Sequence, residues 1–313
     1  MGDPISFDRD LDYRYDTVYV GRTVDPTSSG IGKWSGKMYR LTMGTCSTAP
    51  CSTGTWGIPS GMNRIPTEVL DVVNLSSGWD YLGPVTAYPM VALDDTGESW
   101  IFFGTGRFFS TSDKSNIDTQ YLVGIKDSVM RPGPAGCTQS GTVNCLDNNL
   151  LDVSNVQICV TCAAGSDQVS GVSGTTTFTA MIALVKTKDG WVTTLPTSGE
   201  RSVVPPTVLA GAVLFPTFIP SSDICVAAGD SNLYALYYKT GSAYPVPILG
   251  VNGAGQANRS TNIGAGLASQ VSVHLGSGGA TGVVQTSNSY LHQITLNGLS
   301  SKSAYVSWVS QRD

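Results

Sequence analysis

Short runs of apolar and β-branched residues recur along the whole chain, and turn-forming Gly, Asp and Ser residues separate one run from the next. Runs of this length and composition are typical of β-strands. They predict strands at residues 17–22, 37–43, 88–93, 99–106, 121–127, 178–187, 190–195, 202–211, 212–220, 232–241, 269–276, 281–287, 290–298 and 304–310. The sequence therefore favours an all-β fold.

One segment instead has the features of a short helix. In residues 65–73, Pro66 lies near the start, and Val69, Leu70 and Val73 would share one face. Proline in the first turn and apolar residues at this spacing are helix signals. We therefore expect one short helix, which would cover a sheet.

The strands are joined by turns and interrupted by long polar stretches. Glycine-containing segments that predict hairpin turns lie at residues 94–97, 188–190 and 209–212. Long stretches poor in apolar residues, which we interpret as surface loops, lie at residues 138–149, 165–177 and 252–269. At four strands a blade, the predicted strands make roughly three to four blades of a propeller.

Composition excludes several classes of protein. The 313 residues carry 18 basic and 23 acidic side chains, a net charge of −5, so no basic surface for nucleic acid is expected. No apolar run is long enough to span a membrane. The first seven residues lack the features of a signal peptide. We treat residues 1–313 as one domain, and if the protein is exported we expect a removed signal or a longer parent chain.

The seven cysteines are spaced locally, in loops rich in Ser, Thr and Gly. Close pairs in such loops suit an oxidising compartment, so we expect the disulfides Cys46–Cys51 and Cys137–Cys145. Cys159 has two candidate partners, Cys162 and Cys225, and the sequence leaves that choice open. A zinc site is disfavoured because no second pair has the spacing of Cys159 and Cys162. A redox CxxC motif is disfavoured because no βαβ pattern surrounds it.

Four aspartates crowd into the segment DRDLDYRYD, directly before an apolar strand. Asp8, Asp10 and Asp12 occupy positions 1, 3 and 5 of a loop, from which carboxylates converge on one point. Ca²⁺ takes six to eight oxygen ligands. Position 7 supplies the backbone carbonyl of Arg14, and position 9 is Asp16. We predict a Ca²⁺ site formed by these five residues, because a dication offsets the repulsion between the carboxylates.

The loop departs from an EF-hand in two places. Position 12, where an EF-hand carries a bidentate Glu, is Tyr19 and lies inside the predicted strand. Position 6, which favours Gly, is Tyr13, and a positive φ there would cost about 1 kcal/mol. The alternative interpretation is a solvated acidic loop neutralised by Arg9 and Arg14.

Other polar candidates have structural interpretations. His274 and His292 both lie in predicted strands. Arg107 lies in GTGRFF, which lacks the Lys and the following helix of a phosphate-binding loop. Glu200 and Arg201 could form an ion pair at a blade edge, which would contribute little if exposed.

The six tryptophans raise the possibility of stacking on a carbohydrate or a quinone. They are Trp34, Trp56, Trp79, Trp100, Trp191 and Trp308. Because propeller blades commonly bury such residues, we interpret them as packing. No nucleophile elbow or dinucleotide-binding motif is present, so we expect no enzymatic activity. The alternative is a periplasmic quinoprotein-like propeller enzyme, although the chain lacks the adjacent cysteines usual in that class.

Several segments, taken in order, resemble the C-terminal β-propeller of the PilY1/PilC proteins of bacterial type IV pili. The segments are DRDLDYRYDTVYVG, WSGKMYRL, VTAYPMVAL, IFFGTGRFF, DTQYLVGIKD, GWVTTLPTSGERSV, VLFPTFIPSSDIC, SNLYALYYKTG and VSWVSQR. They extend from about residue 3 to residue 312. In that family, the nine-residue acidic loop closes its calcium coordination at position 9, here Asp16.

The resemblance implies the fold and the biological setting. It implies the later blades of a modified propeller, built from four-stranded antiparallel blades, in a larger or shortened protein. It also implies a calcium-binding, non-enzymatic module of a pilus assembly or tip protein that affects pilus extension and retraction, adhesion and twitching. The implied partners are minor pilins of the tip complex and a host or abiotic surface. The implied location is extracellular, at the pilus tip, after export through the periplasm, with an outer-membrane association.

Overall fold

Strands make up most of the regular structure. The computed structural model describes residues 1–8, 13, 15, 17–42, 67–127, 149–162, 165–221, 229–276 and 279–299. The strands are β1 Ile5–Phe7, β2 Thr17–Val24, β3 Ser35–Thr42, β4 Thr67–Leu70, β5 Val72–Leu75, β6 Gly78–Tyr81, β7 Met90–Leu93, β8 Ser99–Gly104, β9 Tyr121–Lys126, β10 Leu150–Asp152, β11 Gln157–Ile158, β12 Val169–Ser170, β13 Gly190–Thr194, β14 Thr207–Leu209, β15 Ala212–Pro220, β16 Gly229–Tyr237, β17 Ser260–Ala265, β18 Ser272–Gly276, β19 Gly279–Gln285 and β20 Leu291–Leu296. The helices are α1 Pro26–Ser29 and α2 Phe178–Lys186, with a 3₁₀ turn at Thr111–Ser115.

Four successive sheets form blade-like units. The first has the order β1-β2-β3-β4, the third β14-β15-β16-β17 and the fourth β18-β19-β20. The second has the order β10-β13-β9-β8-β7, in which β10 pairs in parallel with β13 and all other pairs are antiparallel. Within the described residues no strand pairing joins these four sheets, so each is open. The predicted all-β, propeller-like class is confirmed, with one extra parallel strand in the second blade.

The hydrophobic core is divided among the interfaces between consecutive blades. One cluster lies between the first and second blades and includes Tyr19, Met38 and Phe103. A second lies between the second blade, α2 and the third blade, and a third lies between the third and fourth blades. Because each inner sheet is covered on both faces, the sequences of its strands are continuous apolar runs rather than alternating ones.

Strand β8 shows how one strand serves two interfaces. All six of its residues are buried. Ile101 and Phe103 point into the cluster shared with the first blade, and Trp100 and Phe102 point into the cluster shared with the third. Side chains alternate across a strand, so neighbouring residues are assigned to different blade interfaces.

The helix predicted at residues 65–73 is wrong, because its described part, from residue 67 on, contributes to β4 and β5. Met38 and Tyr39 of β3 flank a register shift against β4. That irregularity accompanies the burial of consecutive residues, Val69 and Leu70. Burial of adjacent residues, followed by Val73, resembles a helical face in the sequence. The β-branched residues of the segment are nonetheless better suited to strands.

The strand predicted at residues 178–187 is also wrong, because α2 covers Phe178–Lys186. The hydroxyl of Thr177 accepts a hydrogen bond from the backbone N–H of Ala180 at 3.2 Å, which caps the helix. Phe178, Met181 and Val185 are buried, and their spacing is helical. The residues at 188–190 accordingly connect α2 to β13, rather than forming a hairpin.

Two predicted surface loops contain strands of the described structure. Residues 252–269 include β17, which pairs with β16 as the outer strand of the third blade. Residues 165–177 include β12, which pairs with β11. The third predicted loop, at 138–149, lies outside the described residues except for Asn149, as does the strand predicted at 304–310. No helix among the described residues is long and apolar enough to cross a bilayer.

A tryptophan packed on a glycine provides a test of the core between the second and third blades. Trp191 lies opposite Gly124 in the β13–β9 pair, and a Cβ at Gly124 would lie 2.3 Å from the indole. Gly124→Ala should therefore lower the free energy of unfolding by about 1–3 kcal/mol through overpacking. Denaturant titration followed by tryptophan fluorescence measures this.

The matched control for this prediction is Gly253→Ala. A Cβ at Gly253 meets no atom within 4 Å. This variant should stay within about 0.5 kcal/mol of the parent. Equal stability of both variants would contradict the packing argument.

Candidate functional site

The acidic segment is the connection of the first β-hairpin. Strands β1 and β2 pair antiparallel, and Phe7 lies opposite Thr17 in the last pair. The segment from Asp8 to Asp16 therefore leaves and re-enters the same end of a two-stranded ribbon. Antiparallel pairing holds the two ends of such a connection about 5 Å apart.

The structure describes only part of the predicted metal site. Asp8 lies within the described residues, directly after β1. Asp10, Asp12, Arg14 and Asp16 lie outside them, so their predicted role as ligands stays a prediction. Among described residues, no group of three or more His, Cys, Asp or Glu side chains is placed to hold a metal ion.

Asp8 makes one contact that bears on the loop's shape. Its Oδ2 accepts a hydrogen bond of 2.7 Å from the backbone N–H of Tyr13, five residues later. Tyr13 has φ of 69°, in the left-handed region, while its side chain is 96% exposed. The backbone therefore turns at position 6 of the loop, and the first aspartate holds that turn.

The strand that follows the acidic segment is anchored between two blades. Tyr19 of β2 is fully buried and lies opposite Arg40 of β3. Arg40 forms an ion pair with Asp127, which follows β9 in the second blade. Burial, and then the negative charge of Asp127, raises the pKa of Tyr19 well above its usual range, so the phenol stays protonated. The hairpin is thus fixed at its base by residues of the first and second blades.

This arrangement suits cation binding better than catalysis. Carboxylates gathered on a loop of fixed ends are hard oxygen donors, which Ca²⁺ prefers. At the base of the hairpin, Tyr19 and Asp127 are buried, Arg40 is partly buried, and the three interact with one another. These three side chains therefore brace the base of the hairpin.

Arg107 has the structural role expected from the sequence. Its guanidinium lies 3.9 Å from the ring centroid of Trp34 and forms an ion pair with Asp113. Asp113 also accepts hydrogen bonds of 2.8 Å from the backbone N–H groups of Phe109 and Ser110. Arg107 therefore braces the turn that follows β8.

Glu200 and Arg201, which could have formed an ion pair at a blade edge, bond to separate partners instead. Both are buried, with 1% and 3% exposure. Glu200 Oε1 accepts hydrogen bonds from the side chains of Thr217, Asn232 and Tyr234 at 2.6–3.1 Å. Burial and the charge of Glu200 raise the pKa of Tyr234 above its usual range, which keeps the donor protonated.

Arg201 instead bonds to backbone carbonyls. It donates to the carbonyl oxygens of Gly199, Arg107, Asp113 and Asn116 at 2.7–2.9 Å. The two neighbouring residues thus join the turn after β8 and the third blade through separate partners. Thr217, Asn232 and Arg107 are distant from Glu200 and Arg201 in the chain, so no local pattern in the sequence indicated these partners.

The histidines lie in the predicted strands, and the tryptophans differ from one another in burial. His274 lies in β18 and His292 in β20, as predicted. Trp100 and Trp191 are buried, which confirms the packing interpretation for these two. Trp79 is 62% exposed, so packing does not explain it. Trp56 and Trp308 lie outside the described residues.

One disulfide lies within the described residues, between Cys159 and Cys162. This settles the choice that the sequence left open. Cys46, Cys51, Cys137, Cys145 and Cys225 lie outside those residues, so the two other predicted disulfides stay predictions. No pattern in the sequence indicated the contact between the Cys159–Cys162 turn and Gly255. The carbonyl of Gly255 accepts hydrogen bonds from the backbone N–H groups of residues 160 and 161.

Two curated sequences are similar to half of the chain, whereas no family model matches it. Both are named type IV pilus biogenesis factor PilY1 homolog and come from Xylella fastidiosa. One is 28% identical over 169 residues, 52% of this chain and 10% of that protein. The other is 29% identical over 160 residues, 50% of this chain and 12% of that protein. The alignments thus span about a tenth of the relatives' length.

The fold is similar to that of a solved domain. The crystal structure of the Pseudomonas aeruginosa PilY1 C-terminal domain matches with a TM-score of 0.50 and 17% identity. The match covers 90% of this chain and 61% of that domain. The curated relatives and the shared fold support the resemblance of this chain to the PilY1 family, and the fold is that of the PilY1 C-terminal domain.

Proposed function

We propose that this chain is a calcium-binding, non-enzymatic module of a type IV pilus biogenesis protein. In this proposal the module acts at the pilus tip, after export through the periplasm, in association with the outer membrane. It contacts minor pilins of the tip complex and a host or abiotic surface. Through these contacts it affects pilus extension and retraction, adhesion and twitching motility.

The acidic hairpin loop is the observation that carries the calcium proposal. Its ends are fixed by the Phe7–Thr17 pair, and Asp8 already orders the turn at Tyr13. Asp8, Asp10, Asp12 and Asp16 would bind the ion with their carboxylates, and Arg14 with its backbone carbonyl. The binding energy would then order the loop.

The cation would act on the loop rather than on the fold. The core lies between the blades, and Tyr19 is the first core residue after the acidic segment. Repulsion between carboxylates without a cation should therefore loosen the loop and leave the blades intact. A loop that changes order with calcium is suited to gate contact with a partner.

Two observations support a role other than catalysis. The curated relatives are named as biogenesis factors. The buried charged groups described above, Arg201 and Glu200 among them, are engaged in hydrogen bonds between segments. Such groups stabilise the scaffold, because a buried charge is tolerated only when it is bonded.

Calorimetric titration with Ca²⁺ tests the metal site. The parent protein should bind Ca²⁺, and Asp16→Ala should show a clear loss because one carboxylate ligand is removed. Mg²⁺ should bind more weakly, since a flexible carboxylate loop suits the larger ion. Asp3→Ala, which removes an exposed carboxylate outside the loop, is the control and should titrate like the parent. Equal titrations for Asp16→Ala and the parent would refute the site.

The left-handed backbone at Tyr13 generates a separate prediction. Glycine adopts this conformation without steric cost, so Tyr13→Gly should remove about 1 kcal/mol of strain from the ordered loop. If Ca²⁺ orders the loop, its affinity should rise about fivefold. Tyr15→Gly is the control, because Tyr15 is also exposed and its φ is not positive. An equal or larger rise in Tyr15→Gly would contradict the strain argument.

The pilus role is tested in the parent organism. Surface pili, adhesion and twitching are compared in the wild type, an Asp16→Ala strain and a deletion strain. We expect Asp16→Ala to yield a folded, exported protein with normal circular dichroism and altered pilus number or twitching. If Asp16→Ala behaves as wild type while the deletion does not, calcium has no regulatory role. If the deletion leaves all three properties unchanged, the pilus assignment is wrong.

A further inference from the structure

The disulfide between Cys159 and Cys162 closes a four-residue turn between β11 and β12. Cys159 is 6% exposed, whereas Cys162 is half-buried and Thr161 is exposed. The two cysteines of the bond therefore differ in exposure. A thiolate from solvent reaches the side of Cys162 more easily than the side of Cys159.

The sulfur of Cys159 has a hydrogen-bond donor. The backbone N–H of Cys162 donates to Cys159 Sγ at 3.0 Å. A hydrogen bond to a thiolate favours the charged form over the thiol, and a thiolate of lower pKa is a better leaving group. The accessible sulfur thus lies opposite a leaving sulfur that the backbone stabilises.

We propose that Cys159–Cys162 is a thiol–disulfide exchange site for a small dithiol or a dithiol protein. The attacking thiolate forms a bond to Cys162 Sγ, and the Sγ–Sγ bond breaks with its electron pair on Cys159. The second thiol of the dithiol, as thiolate, then attacks the mixed disulfide and releases Cys162. The dithiol is oxidised to a disulfide, and the two cysteines take up two electrons and two protons.

The bond holds a contact between two blades. The backbone N–H groups of Val160 and Thr161, inside the disulfide turn, both donate to the carbonyl of Gly255 at 2.9 Å. Ala257 N–H donates to the carbonyl of Ile158 at 2.9 Å. We call this set of contacts the Gly255 clip. It joins the β11–β12 insertion of the second blade to the loop that leads into β17 of the third.

The Gly255 clip needs a compact disulfide turn. Gly255 is buried with φ of +80°, and a Cβ on it would lie 2.8 Å from the backbone carbon of Thr161. Two N–H groups of successive residues reach one carbonyl only while the turn stays tightly bent. Reduction removes the constraint that bends it, so the loop at residues 252–257 should loosen while the blade cores stay packed.

The test treats the full chain with dithiothreitol under native conditions, with differential alkylation and hydrogen exchange read by mass spectrometry. We expect Cys159 and Cys162 to become alkylated while far-UV circular dichroism is unchanged. The amides of Val160, Thr161 and Ala257 should then exchange at least tenfold faster, and those of the buried strand β9 should not change. With glutathione as a monothiol, the mixed disulfide should map to Cys162.

Gly255→Ala and Gly253→Ala distinguish loss of the Gly255 clip from loss of the disulfide bond. Gly255→Ala should give fast exchange at residues 160 and 161 without dithiol, with the disulfide intact, and Gly253→Ala should behave as the parent. A disulfide that resists dithiothreitol until the protein unfolds would overturn the exchange site. Glutathione on Cys159 would overturn the proposed direction of attack. Reduction of the wild type without faster amide hydrogen exchange would overturn the link between the disulfide and the Gly255 clip. None of these outcomes depends on pilus function.

Discussion

Burial of inner strands on both faces is the constraint on which the rest of the structure depends. Each inner sheet packs against a sheet on either side, so β8 and β15 contribute alternate residues to two separate cores. When a substitution enlarges or shortens a side chain at one interface, the sheet cannot shift away to adjust, because its other face is packed as well. This explains the close approach of Trp191 to Gly124, where the glycine leaves room for the indole.

Such interfaces leave little water for polar groups, and the chain bonds them largely to its own backbone. Lys126, at the end of β9, donates to the carbonyls of Val185, Lys186 and Lys188 at 2.7–3.3 Å and so closes the end of α2. Arg259 likewise donates to the carbonyl of Ser154 at 2.7 Å. Carbonyl partners satisfy a buried cation without burying a second charge, whose desolvation would cost several kcal/mol. The cations thus tie loops to blades.

The sequence predicted the strands of the inner blades well, because their apolar runs are long and bounded by turn residues. The segment at 212–220 coincides with β15. Prediction from the sequence failed where the apolar spacing fits both a helix and a strand. A register shift buries Val69 and Leu70 together and imitates a helical face, while the cap at Thr177 that identifies α2 is a single hydroxyl. Burial between blades and the partners of Glu200 and Arg201 depend on residues distant in the chain, which no local pattern reports.

The metal site could be proposed from the sequence because its chemistry is local, and its ligands stay a prediction. Four carboxylates within nine positions need no tertiary contact to be recognised as a cation loop. The fold adds the hairpin that fixes the loop's ends and the left-handed turn at Tyr13. The residues on either side of the loop contact the core between the first and second blades, Phe7 before the loop and Tyr19 after it. A segment outside the core can change its order at a small cost in global stability, which is a property of binding loops. The disulfide turn of Cys159 and Cys162 is instead anchored to the core, because Ile158 and Val169 of its flanking strands lie in the cluster between the second and third blades.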